Sequence, residues 1–415
     1  MRLTRREFLR VTGLAGVASV IACAPQARPT PTGPAPPATS AGPSPSASLG
    51  GSGPPPSTSA PIPLRRRIAG LLVVGFRGER VDPEGPIARA IADDGLGGVI
   101  LFDRDQLTGG ARNVRSPAQV RDLVAGLQDL AVDRTLLVAV DQEGGRVTRL
   151  GPEHGFPPVA SEARIGSGGD ADAVAAWADG IAATLESVGV NLNLAPVVDL
   201  DVNPRNPAIG ALGRAFSARP EVVAQFAGLE VRAHRAHGVL TAPKHFPGLG
   251  SASTNTDFGV ADVTRTWSDG ELEPYRALIA AGEVDVIMVG HVVNGGIDRD
   301  VPASLSAATV DGLLRGRLGW AGPVITDDLQ AAAITHAFGA DDAIGLAIEA
   351  GVDLLLFANQ QVYDPGIVGH AIDVIEGLVR SGRIAEERID ASFARITALA
   401  ESAFLRTQRL SLTGS

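Results

Sequence analysis

This sequence has little of several residues that usually mark a function. Its only cysteine is Cys23, so no disulfide can form within the chain. Of its 36 Lys and Arg residues only Lys244 is a lysine. The formal net charge is −10, and this acidic balance argues against nucleic acid as a partner, because phosphate neutralisation needs many clustered cations. The seven histidines form no His-x-His after the first strand pattern and no cluster at ligand spacing. No metal or cofactor is therefore expected, and a metal-dependent amidohydrolase is disfavoured. No Gly-x-Gly-x-x-Gly follows that strand pattern either, which removes the usual dinucleotide-binding case. What the chain does have is length and apolar content: 415 residues, 45% hydrophobic and 20% charged, enough for a sizeable core.

The N-terminus reads as an address. Arg2, Arg5 and Arg6 precede an apolar stretch over 11–22 that is too short to span a bilayer. Thr4-Arg5-Arg6-Glu7-Phe8-Leu9-Arg10 resembles a twin-arginine export motif, and Val20-Ile21-Ala22-Cys23 resembles the lipobox of a bacterial lipoprotein. Residues 1–22 are thus expected to be an export signal, with Cys23 as the lipidation site that anchors the protein to the outer face of the cell membrane. Over 24–61 the chain is almost entirely Pro, Ala, Ser, Thr and Gly. Such a segment buries too little apolar surface to offset its ordering entropy, so 23–61 is expected to be a disordered tether. A domain over 62–405 and a short tail over 406–415 follow.

From residue 64 onward short apolar runs alternate with helical patterns. The runs span 71–76, 97–102, 136–141, 191–199, 239–245, 284–290, 323–328 and 352–357, most of them nearly continuous Val, Ile and Leu, as suits strands covered on both faces. Amphipathic stretches lie between them at 117–131, 171–188, 220–237, 272–281, 307–318, 342–350 and 368–381, with a last helix over 386–404. Eight βα repeats predict an α/β fold, a single (β/α)8 TIM-type barrel, with an open doubly wound sheet as the alternative. In such a barrel the chemistry sits at the C-terminal ends of the strands. Those ends carry Asp141-Gln142-Glu143, Asp199, Asp201, Lys244-His245, His291 and Asp327-Asp328. The density suggests a substrate cleft, although Asp199, Asp201 and Asp328 would serve equally well as caps for the following helices.

Four motifs occur in order: Val140-Asp141-Gln142-Glu143-Gly144-Gly145-Arg146-Val147 with Arg149, then Gly213-Arg214-Ala215-Phe216, then Lys244-His245-Phe246-Pro247-Gly248-Leu249-Gly250, then Ile325-Thr326-Asp327-Asp328-Leu329. Together, over roughly residues 64–400, they resemble glycoside hydrolase family 3 in its bacterial β-N-acetylhexosaminidase (NagZ-like) branch. The second α/β sandwich domain of the two-domain members is not expected. The resemblance implies Asp327 as a carboxylate nucleophile and Asp141, Arg149, Arg214, Lys244 and His245 as sugar-binding groups; His291, just past the sixth strand run, is read as a further structural or substrate-binding residue. The resemblance also implies a covalent glycosyl-enzyme intermediate with retention of configuration. An ionised nucleophile needs neighbouring cations or backbone donors, and Lys244 or Arg214 could supply that field.

The proton donor departs from the pattern. The branch resembled here uses an Asp-Ser-His dyad on the loop after the fifth strand, and the matching positions are Asn255, Thr256 and Asp257. No histidine lies between His245 and His291. Asp257 is therefore the tentative acid/base, with Glu143, His154 or His291 as alternatives. The alternatives are a glycan-binding lipoprotein with impaired catalysis or a family 3 β-glycosidase of other sugar specificity. A transporter's binding lipoprotein would share the N-terminal address but would have no need of Thr326-Asp327-Asp328. The resulting expectation is an exported monomer, membrane-bound through its lipid, that acts on N-acetylglucosaminides such as muropeptide-like cell-wall fragments.

Overall fold

The computed structural model describes residues 61–413. The export signal expected over 1–22, the lipidation site Cys23 and the tether up to residue 60 lie outside the described residues.

Each of the eight apolar runs contains a strand. These are β1 (Leu72–Gly75), β2 (Gly98–Leu101), β3 (Leu137–Val140), β4 (Leu192–Asn193), β5 (Leu240–Thr241), β6 (Ile287–Val289), β7 (Val324–Thr326) and β8 (Leu355–Phe357). All of their residues are buried, which explains why the runs show no polar alternation. Pairing is parallel. Six strands form one ladder in the order β8-β1-β2-β3-β4-β5, and β6 pairs with β7 in a second ladder. As ladders the sheet is not closed. Single-residue bridges, Phe246 with Val289 and Ile325 with Leu354, span the two gaps.

Helices fill the connections: α1 (Pro117–Leu130), α2 (Ala171–Ser187), α3 (Pro220–Ala236), α4 (Glu273–Ala280), α5 (Ala340–Glu349), α6 (Ile367–Arg380) and α7 (Glu386–Thr413). Local chemistry starts them where the pattern suggested. Ser116 Oγ accepts from Gln119 N at 3.2 Å ahead of Pro117, and Asp170 caps α2 through Asp172 N and Ala173 N. Two segments differ from expectation. The stretch expected as a helix over 307–318 is π-helical over Ala308–Arg317, yet it still buries Thr309, Val310, Leu313 and Leu314. The last helix does not stop near 404 but continues to Thr413, through most of the expected tail.

One polar side chain fixes the rim where the ladder passes from β8 to β1. Arg112, fully buried, donates to Phe76 O, Asn359 O and Ala358 O at 2.8–2.9 Å. These carbonyls have no strand partner to take them, so the guanidinium substitutes for one. Asn359 beside it holds a left-handed backbone (φ 54°) and donates to Gly75 O at 2.9 Å. Parallel strands place all their C-terminal ends on one face, and that face carries the polar residues.

Candidate active site

Asp141, Arg149, Arg214, Lys244, His245, Asp257 and Asp327, far apart in sequence, line a single cleft at the C-terminal ends of the strands. Gln106 and Gln360 close one side of it, joined by a 3.0 Å bond from Gln106 N to Gln360 Oε1.

The cleft floor is an ion network centred on Glu143, which is buried at 1% exposure. Arg214 meets it as a fork, Nε at 2.7 Å from Oε2 and Nη2 at 2.8 Å from Oε1. Lys244 Nζ lies 2.6 Å from Glu143 Oε1 and 2.8 Å from Asp141 Oδ1. Burial alone would raise the Glu143 carboxyl, but Arg214 and Lys244 outweigh it and hold the group well below the usual carboxylate range. Burial would likewise lower the Lys244 ammonium, and Asp141 and Glu143 reverse that to raise it. The network is therefore permanently charged. Glu143, held as a carboxylate by its two cations, is disfavoured as the proton donor. Arg149 reaches Asp141 at 3.6 Å and Asp103 at 3.8 Å, which orients Asp141 from the other side.

His245 is held by Asp199, whose Oδ2 lies 2.6 Å from Nδ1 and whose two oxygens accept from His245 N at 3.3 Å. Asp199 also accepts from Leu249 N at 2.7 Å, so the same carboxylate shapes the loop that follows. It serves the histidine and the loop rather than capping a helix. The far ring nitrogen of His245 faces the cleft, 3.4 Å from Arg214 Nη2.

Asp327 and Asp328 are neighbours with opposite roles. Asp328 turns inward, and its Oδ1 accepts from Gln330 N at 3.1 Å and Ala358 N at 2.9 Å. Burial, only partly countered by those two N–H groups, pushes its carboxyl up to about 7. Asp327 is half-buried and faces the cleft. Its Oδ1 accepts from Asp328 N at 2.8 Å, and no hydrogen bond occupies its other oxygen among the described residues. Burial would raise it, yet His291, His245, the Asp328 N–H and Lys244 together bring it below the ordinary value. The Asp328 N–H and the Lys244 ammonium act throughout, whereas an imidazole adds to the depression only when it is protonated. Lys244 contributes least, and Arg214 is spent on Glu143.

Asp257 sits across the cleft on the loop after β5. As a residue it is open to solvent, but its carboxyl is crowded by cleft atoms. That crowding, with the negative charge of Asp327, raises its pKa. The loop is fastened at this point, with Thr256 O and Asp257 O accepting from Ala333 N (3.1 Å) and Ala332 N (3.4 Å). One carboxyl pushed down and one pushed up within a single cleft is the division of labour that acid/base-assisted substitution requires.

These residues lie within a sequence region that matches a known family. The model of the glycosyl hydrolase family 3 N-terminal domain matches residues 63–399. The chain belongs to glycosyl hydrolase family 3. It is 37% identical over 298 residues to a beta-hexosaminidase of Xylella fastidiosa (strain M23), covering 69% of this chain and 82% of that one. A beta-hexosaminidase of Pseudomonas aeruginosa (strain LESB58) is 35% identical over 270 residues, 64% of this chain and 76% of its own. Among solved structures, the family 3 beta-N-acetylglucosaminidase from Paenibacillus sp. str. FPU-7 superposes with a TM-score of 0.75 at 36% identity. It covers 83% of this chain, which in turn spans only 63% of the Paenibacillus chain. The beta-N-acetylhexosaminidase from Beutenbergia cavernae DSM 12333 gives a TM-score of 0.73 at 33% identity, over 83% of this chain and all (100%) of its own. As a family 3 member with such relatives, the chain is a glycoside hydrolase.

One expected binding residue is placed differently. His291 is 1% exposed and does not line the cleft. Its Nδ1 lies 2.7 Å from Ser304 Oγ and its Nε2 2.8 Å from the Asp328 carbonyl, so both nitrogens are engaged. Nε2 must donate to that carbonyl, and the serine hydroxyl can donate to Nδ1, which suits a neutral ring. Burial, the first cause, lowers its pKa in keeping with this. His291 therefore supports the Asp327-Asp328 turn from beneath, and its pull on Asp327 grows only as it protonates. His154, another proposed acid, also lies off the cleft, near Glu153 and Asp103. Sequence reasoning undervalued Glu143 and Asp199. The signal for Glu143 was its i+2 spacing from Asp141 at a strand end, and Asp199 carried none beyond being an acid at such an end.

Proposed function

We propose that the protein is a retaining β-N-acetylhexosaminidase that releases terminal N-acetylglucosamine through a covalent glycosyl-Asp327 intermediate, with Asp257 as acid/base. The observation that carries this reading is the asymmetry of the two cleft carboxyls. Asp327 has one oxygen fixed by Asp328 N and the other unengaged, with its pKa depressed, as a nucleophile needs. Asp257 is shifted upward, the direction a proton donor to the leaving oxygen requires. In the second step the Asp257 carboxylate would take a proton from water as the water attacks the anomeric carbon and the Asp327 ester bond breaks. Its charge would repel an anionic acceptor, so hydrolysis is favoured over phosphorolysis. Asp141, Lys244, Arg214, His245 and Arg149 would hold the sugar hydroxyls through charged donors and acceptors.

The N-acetyl preference rests on the named relatives. The cell-wall origin of the substrate, the monomeric state and attachment outside the cell through lipidated Cys23 rest on the sequence. We also read the eight strands as a (β/α)8 barrel, a reading supported by the two bridges that link the ladders. The decisive experiment is to incubate the protein with a mechanism-based fluorinated N-acetylglucosaminyl fluoride and map the modified peptide by mass spectrometry. Label on Asp327 is expected. Label on Asp328 or Asp257 would overturn the assignment, and intact sugar binding without label would favour a glycan-binding protein. Release of free sugar at a rate unaffected by added phosphate is expected, and a sugar 1-phosphate product would exclude hydrolysis.

A further inference from the structure

The loop that carries Asp257 has a buried root. Residues 241–252 are all buried, and the chain reaches the surface only from 253 onward. The loop after β4 holds this root in three places. Asp199 Oδ1 accepts from Leu249 N at 2.7 Å, Asn206 Nδ2 donates to Leu249 O at 2.7 Å, and Asn203 Nδ2 donates to Ala252 O at 2.8 Å. Glu271 holds it from another element, the turn Asp269–Leu272 that opens into α4, and its Oε2 accepts from Gly250 N at 3.1 Å. The approach is close. A Cβ on Gly248 would lie 2.5 Å from the same oxygen, and Gly248 takes a φ of 124°, which favours glycine. Glu271 is 2% exposed and does not line the cleft. Burial, then the charge of Asp199, push its carboxyl up to about 7 against the pull of Ser251 and Gly250 N. Protonated or ionised, it keeps an oxygen that can accept from Gly250 N.

We propose that Glu271 is a positioning residue for the proton donor: it fixes the root of the loop and so sets where Asp257 stands relative to the leaving oxygen. The inference rests on the reading of Asp257 as acid/base. At its far end the loop is tied again, with Thr256 O and Asp257 O accepting from Ala333 N and Ala332 N. Only residues 253–255 separate these ties from the last held carbonyl of the root, that of Ala252. So short a span absorbs little movement, and a shift of the root is passed on to Asp257. Proton transfer needs the donor within about 2.6–3.2 Å of the oxygen it serves, so a small displacement is felt in the rate.

The test compares the wild type, Glu271→Ala and Glu271→Gln on two substrates. One is a β-1,4-linked N-acetylglucosamine disaccharide, whose leaving oxygen needs a proton, and the other is dinitrophenyl N-acetylglucosaminide, whose leaving group does not. General damage to the fold would depress kcat/KM for both alike. For Glu271→Ala the disaccharide-to-dinitrophenyl ratio of kcat/KM is expected to fall about 10-fold, the rate equivalent of one hydrogen bond to a charged group. Glu271→Gln, which keeps the acceptor, should restore it. In an Asp257→Ala background, Glu271→Ala should lower the ratio no further, because no proton donor is left to position. An unchanged ratio in Glu271→Ala overturns the proposal, and so does an equal fall on top of Asp257→Ala. If Glu271→Ala does not fold, Glu271→Asp, which draws the carboxyl back by one methylene, is read in its place. If no glycoside is turned over, or Asp257→Ala leaves the ratio unchanged, the reading of function or of Asp257 fails separately. Hydrogen exchange at Ala332 N and Ala333 N then decides the positioning role, with faster exchange in Glu271→Ala supporting it and equal exchange overturning it.

Discussion

Asp199 grips His245 at two points, the ring nitrogen Nδ1 at 2.6 Å and the backbone nitrogen at 3.3 Å. The imidazole therefore cannot rotate independently of the strand end that carries it, and its second nitrogen is aimed into the cleft. A hydrogen bond to a charged group contributes on the order of 1.5–3 kcal/mol. Asp199→Asn should therefore lower kcat/KM by roughly 10- to 100-fold while the protein stays folded, since the amide oxygen can still accept from Leu249 N. Steady-state kinetics alongside circular dichroism checks this, and wild-type kinetics would show that the grip is dispensable.

Glu143 neutralises two buried cations at once. Glu143→Gln keeps the shape of the side chain but removes the charge that Arg214 and Lys244 share, leaving Asp141 as the paired carboxylate of Lys244. Removing one partner of a buried ion pair costs about 3–5 kcal/mol. Denaturant unfolding should show a loss of that order, and substrate KM should rise because both cations shift. The loss should exceed that of Arg232→Gln, which breaks only a surface pair with Glu283.

Asp328 makes stability depend on pH in an identifiable direction. Its folded-state carboxyl titrates at about 7, above the value of 3.8 for an unperturbed aspartate. The native state therefore holds a proton that the unfolded chain has released, so this group's contribution is full below about pH 4 and declines up to about pH 7. The span corresponds to at most about 4 kcal/mol. Asp328→Asn should flatten the stability profile between pH 4 and 7 relative to wild type. Parallel profiles for the two proteins in urea titrations at several pH values would show that Asp328 is ionised in the fold.

Removing either cleft carboxyl should leave a distinct signature. Asp327→Ala should lose on the order of 10⁴-fold in kcat or more, and azide should rescue it by forming the inverted glycosyl azide. Asp257→Ala should retain more activity on aryl glycosides with good leaving groups than on the disaccharide, and azide should yield the retained anomer. Product analysis by NMR separates the two, and the same anomer from both variants would rule out this division of roles.

The amino-acid sequence by itself determined the parallel α/β plan, because short continuous runs of Val, Ile and Leu, each followed by a longer amphipathic stretch, suit strands covered on both faces by helices. All eight runs became strands, and the helices begin where Ser116 with Pro117 and Asp170 supply caps. It also determined which residues the strand ends present, since a parallel sheet directs every C-terminal end to one side. Only the tertiary structure decided what those residues do. Asp327 and Asp328 are alike as letters, yet the backbone turn buries Asp328 against two N–H donors and leaves Asp327 with a free oxygen in the cleft. His291 appeared in the sequence as a binding residue, but the strand register placed it beneath that turn with both nitrogens engaged. Glu143 looked like an available acid until Arg214 and Lys244, 71 and 101 positions further along, closed on it. Charge state is set by what surrounds a group in space, and chain spacing does not carry that information.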